Sequence, residues 1–348
     1  MKKEHLEVGQ GQENLKDDFS RIISYLRLSL TDRCNLRCHY CVTDTQEPEA
    51  ITWLKHEDLF SYEELLKVVR VAVGMGMSKL RLTGGEPLTR RNVMYFISQL
   101  AEIEGLNDIR ITTNGVLLEK YAGRLYQAGI RKVNISLDTL RPDRFKEITG
   151  RDYFDRVWRG IEQVLALGFS PVKLNMVVMR GINDDELVDF ARLSLQKNLQ
   201  ARFIEFMPIG SLSRWRKDTF MSSDEIKERI SSLGELLPLD RNNADGPART
   251  FKIGEDAPGT LGFISPMSHH FCKTCNRLRL TSDGKLRPCL LSDKEVDLRK
   301  VVRGGGTDDD IRLAIRSAIQ IKPGEHRMSD RLNDQAQKCN GYMSRIGG

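Results

Sequence analysis

Residues 25–30, YLRLSL, alternate apolar and polar side chains, and the alternation recurs in KLRLT (79–83), DIRITTN (108–114), KVNISLD (132–138), PVKLNMVV (171–178) and ARFIEF (201–206). Helix-length amphipathic runs separate them, from SYEELLKVVRVAVGMG (61–76) to DDELVDFARLSLQKN (184–198). Gly76, Gly129 and Gly168 stand where C-terminal caps belong, and Ser61 and Asp184 where N-caps belong. Six strands with helical crossovers predict an α/β fold with parallel strands, an open or closed βα barrel.

Parallel strands buried on both faces are usually apolar throughout. Here period two sends Arg27, Ser29 and Thr31 to one face and Leu26, Leu28 and Leu30 to the other. Lys79, Arg81 and Thr83, then Arg110, Thr112 and Asn114, then Asn134 and Ser136, then Lys173 and Asn175 repeat the pattern. With helices on the apolar faces, the polar faces line a lumen. An antiparallel sheet with one wet side would share the alternation, but helix-length connections disfavour it. Arg27, Lys79, Arg81, Arg110 and Lys173 would repel one another in a closed core, so such a lumen suits a polyanion such as a triphosphate.

After Met207 the pattern changes. A polar loop (210–217), a helix (223–233) and a Gly/Asn/Asp/Pro-rich stretch (241–258) precede TLGFIS, RLRLTS and KLRPCL, the last two joined by a Ser282-Asp283-Gly284 turn that predicts an antiparallel hairpin, and then helical DDDIRLAIRSAIQ. The 348 residues carry 54 Lys plus Arg against 48 Asp plus Glu, a net +6, with 40% hydrophobic and 29% charged residues. That composition predicts a globular chain and gives no sign of a nucleic-acid or membrane binder. The opening MKKEHLEVGQGQENLKDDFS has no apolar signal core, so a cytoplasmic location is expected.

Six of seven cysteines fall in two triplets, and in a reduced compartment triplets read as metal ligands. Cys34, Cys38 and Cys41 follow the first strand, at the end of the sheet where barrel active sites lie; three thiolates there hold three irons of a [4Fe–4S] cluster and leave one open. Zinc would need a fourth ligand such as His39 and is the weaker reading. Cys272, Cys275 and Cys289, spaced C-x₂-C-x₁₃-C, fit a cluster or a zinc site completed by His269 or His270 equally well on spacing alone. Cys339 reads as a small buried hydrophobe. Thr83-Gly84-Gly85-Glu86-Pro87 ends the second strand, and by itself is an ordinary βα turn.

The C-x₃-C-x₂-C loop one strand before this Gly-Gly-Glu-Pro turn resembles the radical S-adenosylmethionine superfamily. Together with RFIEFMPIG, FCKTCNRLRLTSDGKLRPCL and the ending MSRIGG, the chain resembles, from about Tyr25 to Gly348, the GTP 3′,8-cyclase family of molybdenum cofactor biosynthesis. Val42 departs from the family's commoner Met-Pro pair after the third cysteine. The resemblance implies an incomplete (β/α)₆ barrel over 21–222, an N-terminal extension over 1–20, and a smaller C-terminal α+β domain over 223–348 with a second cluster and a Gly-Gly tail.

It also implies roles. S-adenosylmethionine contacts fall on Tyr40, Gly85, Ser136 and Met207, with Asn114 and Arg202 behind them. GTP contacts fall on Arg27, Lys79, Arg81, Thr112, Lys173, Arg277, Leu278 and Arg279. Arg277, Gly347 and Gly348 take part in catalysis, and the two triplets hold two [4Fe–4S] clusters, the open iron of the second meeting guanine. A 5′-deoxyadenosyl radical is expected to abstract the C3′ hydrogen of GTP, whose ribose carbon then attacks C8. Implied partners are an electron donor and the cyclic pyranopterin monophosphate synthase that takes the product, with the chain a monomer or homodimer. A peptide-modifying radical enzyme and a non-catalytic zinc module are the rival readings; a peptide gives no reason for Lys79, Arg81 and Lys173 on the inner face.

Overall fold

The computed structural model describes residues 15–41, 53–209, 215–240, 246–326, 339 and 343–347, so residues 1–14, Val42 and Gly348 lie outside it. The six expected strands are β1 (Tyr25–Ser29), β2 (Lys79–Thr83), β3 (Asp108–Thr113), β4 (Lys132–Ser136), β5 (Val172–Val178) and β6 (Gln200–Glu205). They alternate with α1 (Tyr62–Gly74), α2 (Val93–Ala101), α3 (Leu118–Gln127), α4 (Pro142–Thr149), α5 (Phe154–Ala166) and α6 (Leu187–Gln196), α4 and α5 together joining β4 to β5. Ser61 caps α1 in a reciprocal box with Glu64. Asp184 does not cap α6: it opens a short 3₁₀ turn, and its carboxylate accepts the Gly181 N–H at 2.7 Å.

The rest of the chain comprises α7 (Ser223–Ile230), β7 (Leu236–Pro238), β8 (Arg249–Ile253), β9 (Thr260–Ile264), β10 (Arg277–Leu280), β11 (Lys285–Arg287), β12 (Val296–Asp297), α8 (Leu298–Arg303), α9 (Asp308–Gln320) and α10 (Met343–Ile346). The expected hairpin is present as antiparallel β10–β11, and Pro288, with no N–H to donate, follows the last residue of β11. The C-terminal strands do not form a sheet of their own. One 12-stranded sheet runs β12-β11-β10-β1-β2-β3-β4-β5-β6-β9-β8-β7, and every neighbour from β10 to β9 is parallel. β1 and β6 would otherwise present unpaired edges; β10 and β9 cover them. Residues on either side of the 222/223 boundary therefore share one sheet.

One face buries Leu26, Leu28, Leu80, Leu82, Ile111, Val133, Ile135, Val172, Leu174, Ala201 and Phe203 in the core formed with the helices. The other face carries the polar set, and register aligns it in rows. Arg279 pairs with Arg27, Arg27 with Arg81, and Arg81 with Arg110, so four guanidinium-bearing positions lie side by side across β10, β1, β2 and β3.

Buried carboxylates tie the loops beyond the strand ends. Glu86 accepts from Leu88 N–H, Thr113 Oγ1 and Asn114 N–H at 2.7–3.0 Å. Glu205 accepts from the N–H groups of Ser223, Met267 and Ser268 at 2.8–3.0 Å and from both serine hydroxyls. It thereby holds the loop leading into Cys272 against the end of β6.

Burial raises the Glu86 carboxyl to about 7 despite its three donors. With the folded value above the unfolded one, its stabilising contribution is present below pH ~4.5 and is lost as pH rises through about 7. Glu86→Gln should therefore remove a fall in unfolding free energy across that window, on the order of 3 kcal/mol. Denaturant titrations at pH 5 and pH 8 check this; an equal pH slope in wild type and variant contradicts it.

Candidate active site

A cavity of ≈ 320 Å³ opens on the polar face of the sheet, and thiols from both cysteine triplets line it. Cys34, Cys38 and Cys41 reach it from the loop after β1, and Cys272, Cys275 and Cys289 from the segments flanking β10 and β11. All six are free thiols. Between the triplets lie Tyr25, Arg27, Lys79, Arg81, Arg110, Thr112, Arg277 and Arg279. Tyr40, Gly85, Ser136, Met207, Asn114 and Arg202 line the cavity as well.

At Cys34 in the first triplet, Arg37 and hydrogen bonds from Leu36 and Asn114 favour the thiolate but do not outweigh burial. Burial, with repulsion from Glu86, raises Cys34 to about 11; burial, with repulsion from Asp138 and neighbouring thiols, raises Cys41 to about 12 and Cys38 well above the usual thiol range. Such a set is ionised by a metal that replaces the protons. The second triplet differs. At Cys275 burial works against ionisation, yet Arg277 and Lys322 outweigh it and bring the thiol down to about 6.

Gly84 and Gly85 serve the chain before any ligand. A Cβ on Gly85 would stand 2.3 Å from the Arg33 carbonyl oxygen, and one on Gly84, at φ +155°, 2.7 Å from that of Thr31. Gly85 N–H already donates to the Thr31 carbonyl at 2.6 Å, so its carbonyl is the group left to face a ligand. The Tyr40 hydroxyl donates to Asp138 at 2.6 Å while its ring meets Phe206 edge-on; that side chain fixes the cysteine loop against β4 and β6.

Several of these cations have partners on the same face. Asp108, which spacing did not reveal as a partner, takes Arg110 at 2.5 Å, Lys132 at 3.4 Å and Lys79 at 3.9 Å. Arg81 donates to Tyr25 and, at 3.2 Å, to Thr112 Oγ1. Burial, then repulsion from Arg27 and Arg277, depresses Arg279 far below the usual guanidinium range; burial together with Arg81 and Arg277 lowers Arg27 to about 10 although Tyr25 opposes this. Among the described residues the buried Oδ1 of Asn175 has no hydrogen-bond partner.

Two expected contacts sit apart. Lys173 is buried on β5 but does not line the cavity, and the Leu278 side chain points into the core, leaving only its main chain for a ligand. Of the expected zinc-completing histidines, His269 turns to Asp224 at 2.6 Å, whereas His270, Cys272 and His326 bring their ligand atoms within 4.8 Å of one another. Cys339 is buried beside Met267, as a hydrophobe would be.

Gly347 enters the polar face. Its carbonyl accepts from Arg279 at 2.6 Å, and at φ +76° a Cβ would come within 2.1 Å of Thr83 Oγ1. Gly347→Ala should expel the tail and raise hydrogen exchange over residues 343–347, with Thr83→Ala in the same chain restoring protection in part. Unchanged exchange in Gly347→Ala would contradict the close fit.

Two family models match the chain: "Radical SAM superfamily" over residues 28–194 and "Molybdenum Cofactor Synthesis C" over 199–328. The GTP 3′,8-cyclase of Thermodesulfovibrio yellowstonii is 52% identical over 311 residues, 89% of this chain and 94% of that one. That of Moorella thermoacetica is 47% identical over 335 residues, 96% of this chain and 100% of that one. Among solved structures, Streptococcus suis SuiB bound to S-adenosylmethionine aligns with TM-score 0.62 at 12% identity over 92% of this chain and 77% of that one, a likeness of fold alone.

Proposed function

The chain belongs to the GTP 3′,8-cyclase family of radical S-adenosylmethionine enzymes, and from that premise we propose that its cavity converts GTP to (8S)-3′,8-cyclo-7,8-dihydroguanosine 5′-triphosphate, the first step of molybdenum cofactor biosynthesis. The observation that carries this reading is the shared cavity: two cysteine triplets face it with the arginine row between them. The α/β units correspond to an incomplete barrel whose mouth the second triplet's loops cover.

Cys34, Cys38 and Cys41 would hold one [4Fe–4S] cluster, and Cys272, Cys275 and Cys289 a second. When bound, the first cluster and S-adenosylmethionine supply a 5′-deoxyadenosyl radical that takes a hydrogen from the substrate ribose. The Gly85 carbonyl, Ser136 and Met207 orient S-adenosylmethionine, and Tyr40 does so by fixing its loop on Asp138. Arg27, Lys79, Arg81 and Arg279 hold the triphosphate as charge-assisted donors, Thr112 accepts or donates beside them, and Lys173 acts from below the lining. Arg277, between Cys275 and the cavity, meets the guanine end. The tail at Gly347 and Gly348 shields the reacting atoms from water. An electron donor and a downstream cyclic pyranopterin monophosphate synthase complete the reaction sequence.

The His270, Cys272 and His326 grouping favours one rival, a zinc ion at the second triplet. Metal analysis separates the two. Anaerobically reconstituted protein should hold roughly eight irons per chain without zinc, and Cys38→Ala roughly four, with 5′-deoxyadenosine formation abolished. Four irons plus one zinc in the wild type would overturn the second cluster, and turnover by Cys38→Ala would overturn the first.

A further inference from the structure

Lys322, two residues past α9, is 3% exposed. Its ammonium donates to the Pro288 carbonyl at 2.6 Å, the Arg277 carbonyl at 2.8 Å and Cys275 Sγ at 3.6 Å. Pro288 directly precedes Cys289, and Arg277 follows Cys275 by two residues, so one buried cation joins both halves of the second cysteine motif. The adjoining segment is clamped from the other side. Arg21, paired with Asp17 at 2.5 Å, donates to the carbonyls of Cys272 at 2.9 Å, Pro323 at 2.7 Å and Gly324 at 3.0 Å.

Among the described residues Lys322 makes no ion pair with a carboxylate, and it does not line the cavity. A buried ammonium without an anion costs several kcal/mol, so its counter-charge has to come from the thiolates beside it.

We propose that Lys322 is the fixed counter-charge of the second cluster, a positioning residue that sets the cluster's reduction potential and keeps it in place without touching the nucleotide. This rests on the two-cluster reading above. A [4Fe–4S]²⁺ core with three thiolates carries a net charge of −1 and reduction takes it to −2, so a nearby cation favours the reduced form. Removing the cation lowers the potential.

The experiment is potentiometric titration with dithionite, followed by electron paramagnetic resonance, of reconstituted full-length wild type, Lys322→Arg and Lys322→Met. The first cluster in each sample serves as internal reference. Lys322→Met should shift the second cluster's reduction equilibrium at least tenfold toward the oxidised form, about 59 mV for one electron. The first cluster's midpoint should stay put, and Lys322→Arg should stay close to wild type. If Lys322→Met retains only the first cluster while Lys322→Arg retains both, the charge requirement is equally established. An unchanged midpoint in Lys322→Met, or Arg and Met variants that shift or lose the cluster alike, overturns the proposal. Wild type that loads about four irons and still cleaves S-adenosylmethionine would instead refute the two-cluster reading.

Discussion

Four arginines stand in one row across parallel strands: Arg279 on β10, Arg27 on β1, Arg81 on β2 and Arg110 on β3. Strands lie ~4.8 Å apart, and like charges at that spacing repel by on the order of 3 kcal/mol per adjacent pair at an effective dielectric of ~20. Partners along the row moderate this. Asp108 takes Arg110, and the Gly347 carbonyl takes Arg279. Between them Arg27 and Arg81 face a cavity, Arg81 donating to Tyr25 and Thr112, and in the proposed function the triphosphate supplies the balancing negative charge there. The depressed guanidinium of Arg279 records the same tension.

Holding such a row in place falls to buried carboxylates that mostly accept main-chain N–H groups rather than pairing with cations. Glu86 fastens the Gly-Gly turn to the end of β3, Asp138 fastens the first cysteine loop through Tyr40 and the Val177 N–H, and Glu205 fastens the loop before Cys272 to β6. Both cysteine loops and the turn between them are thus referenced to strand ends. Binding sites built on rigid elements keep reacting atoms in register, which a radical reaction demands.

The strands, their order through β6 and the inward polar face were legible because period two is strict in YLRLSL and its repeats. Register was not, so the row of arginines could be read as a set but not as a line. TLGFIS and RLRLTS were recognisable as strands, yet no local signal says that one joins β6 and the other β1; that is decided by edges about 60 and 250 residues away in the chain. Asp108, Lys322 and Arg21 were missed for the same reason, since a lone charged residue at a strand start or beyond a helix reads as solvated surface. Gly84 and Gly85 directly follow β2, as the sequence reads, and the close approach they permit is first to the Thr31–Arg33 backbone.

The central claim is that this cationic row is a triphosphate site. Isothermal titration of the reconstituted protein with GTP, GDP and guanosine tests it most directly, in wild type and in Arg81→Gln. The wild type should bind GTP far more tightly than guanosine, and Arg81→Gln should lose GTP affinity by roughly tenfold or more, on the order of 1.5–3 kcal/mol for one charged hydrogen bond, with guanosine affinity little changed. Equal affinities for GTP and guanosine in the wild type, or an unchanged preference in Arg81→Gln, would contradict it.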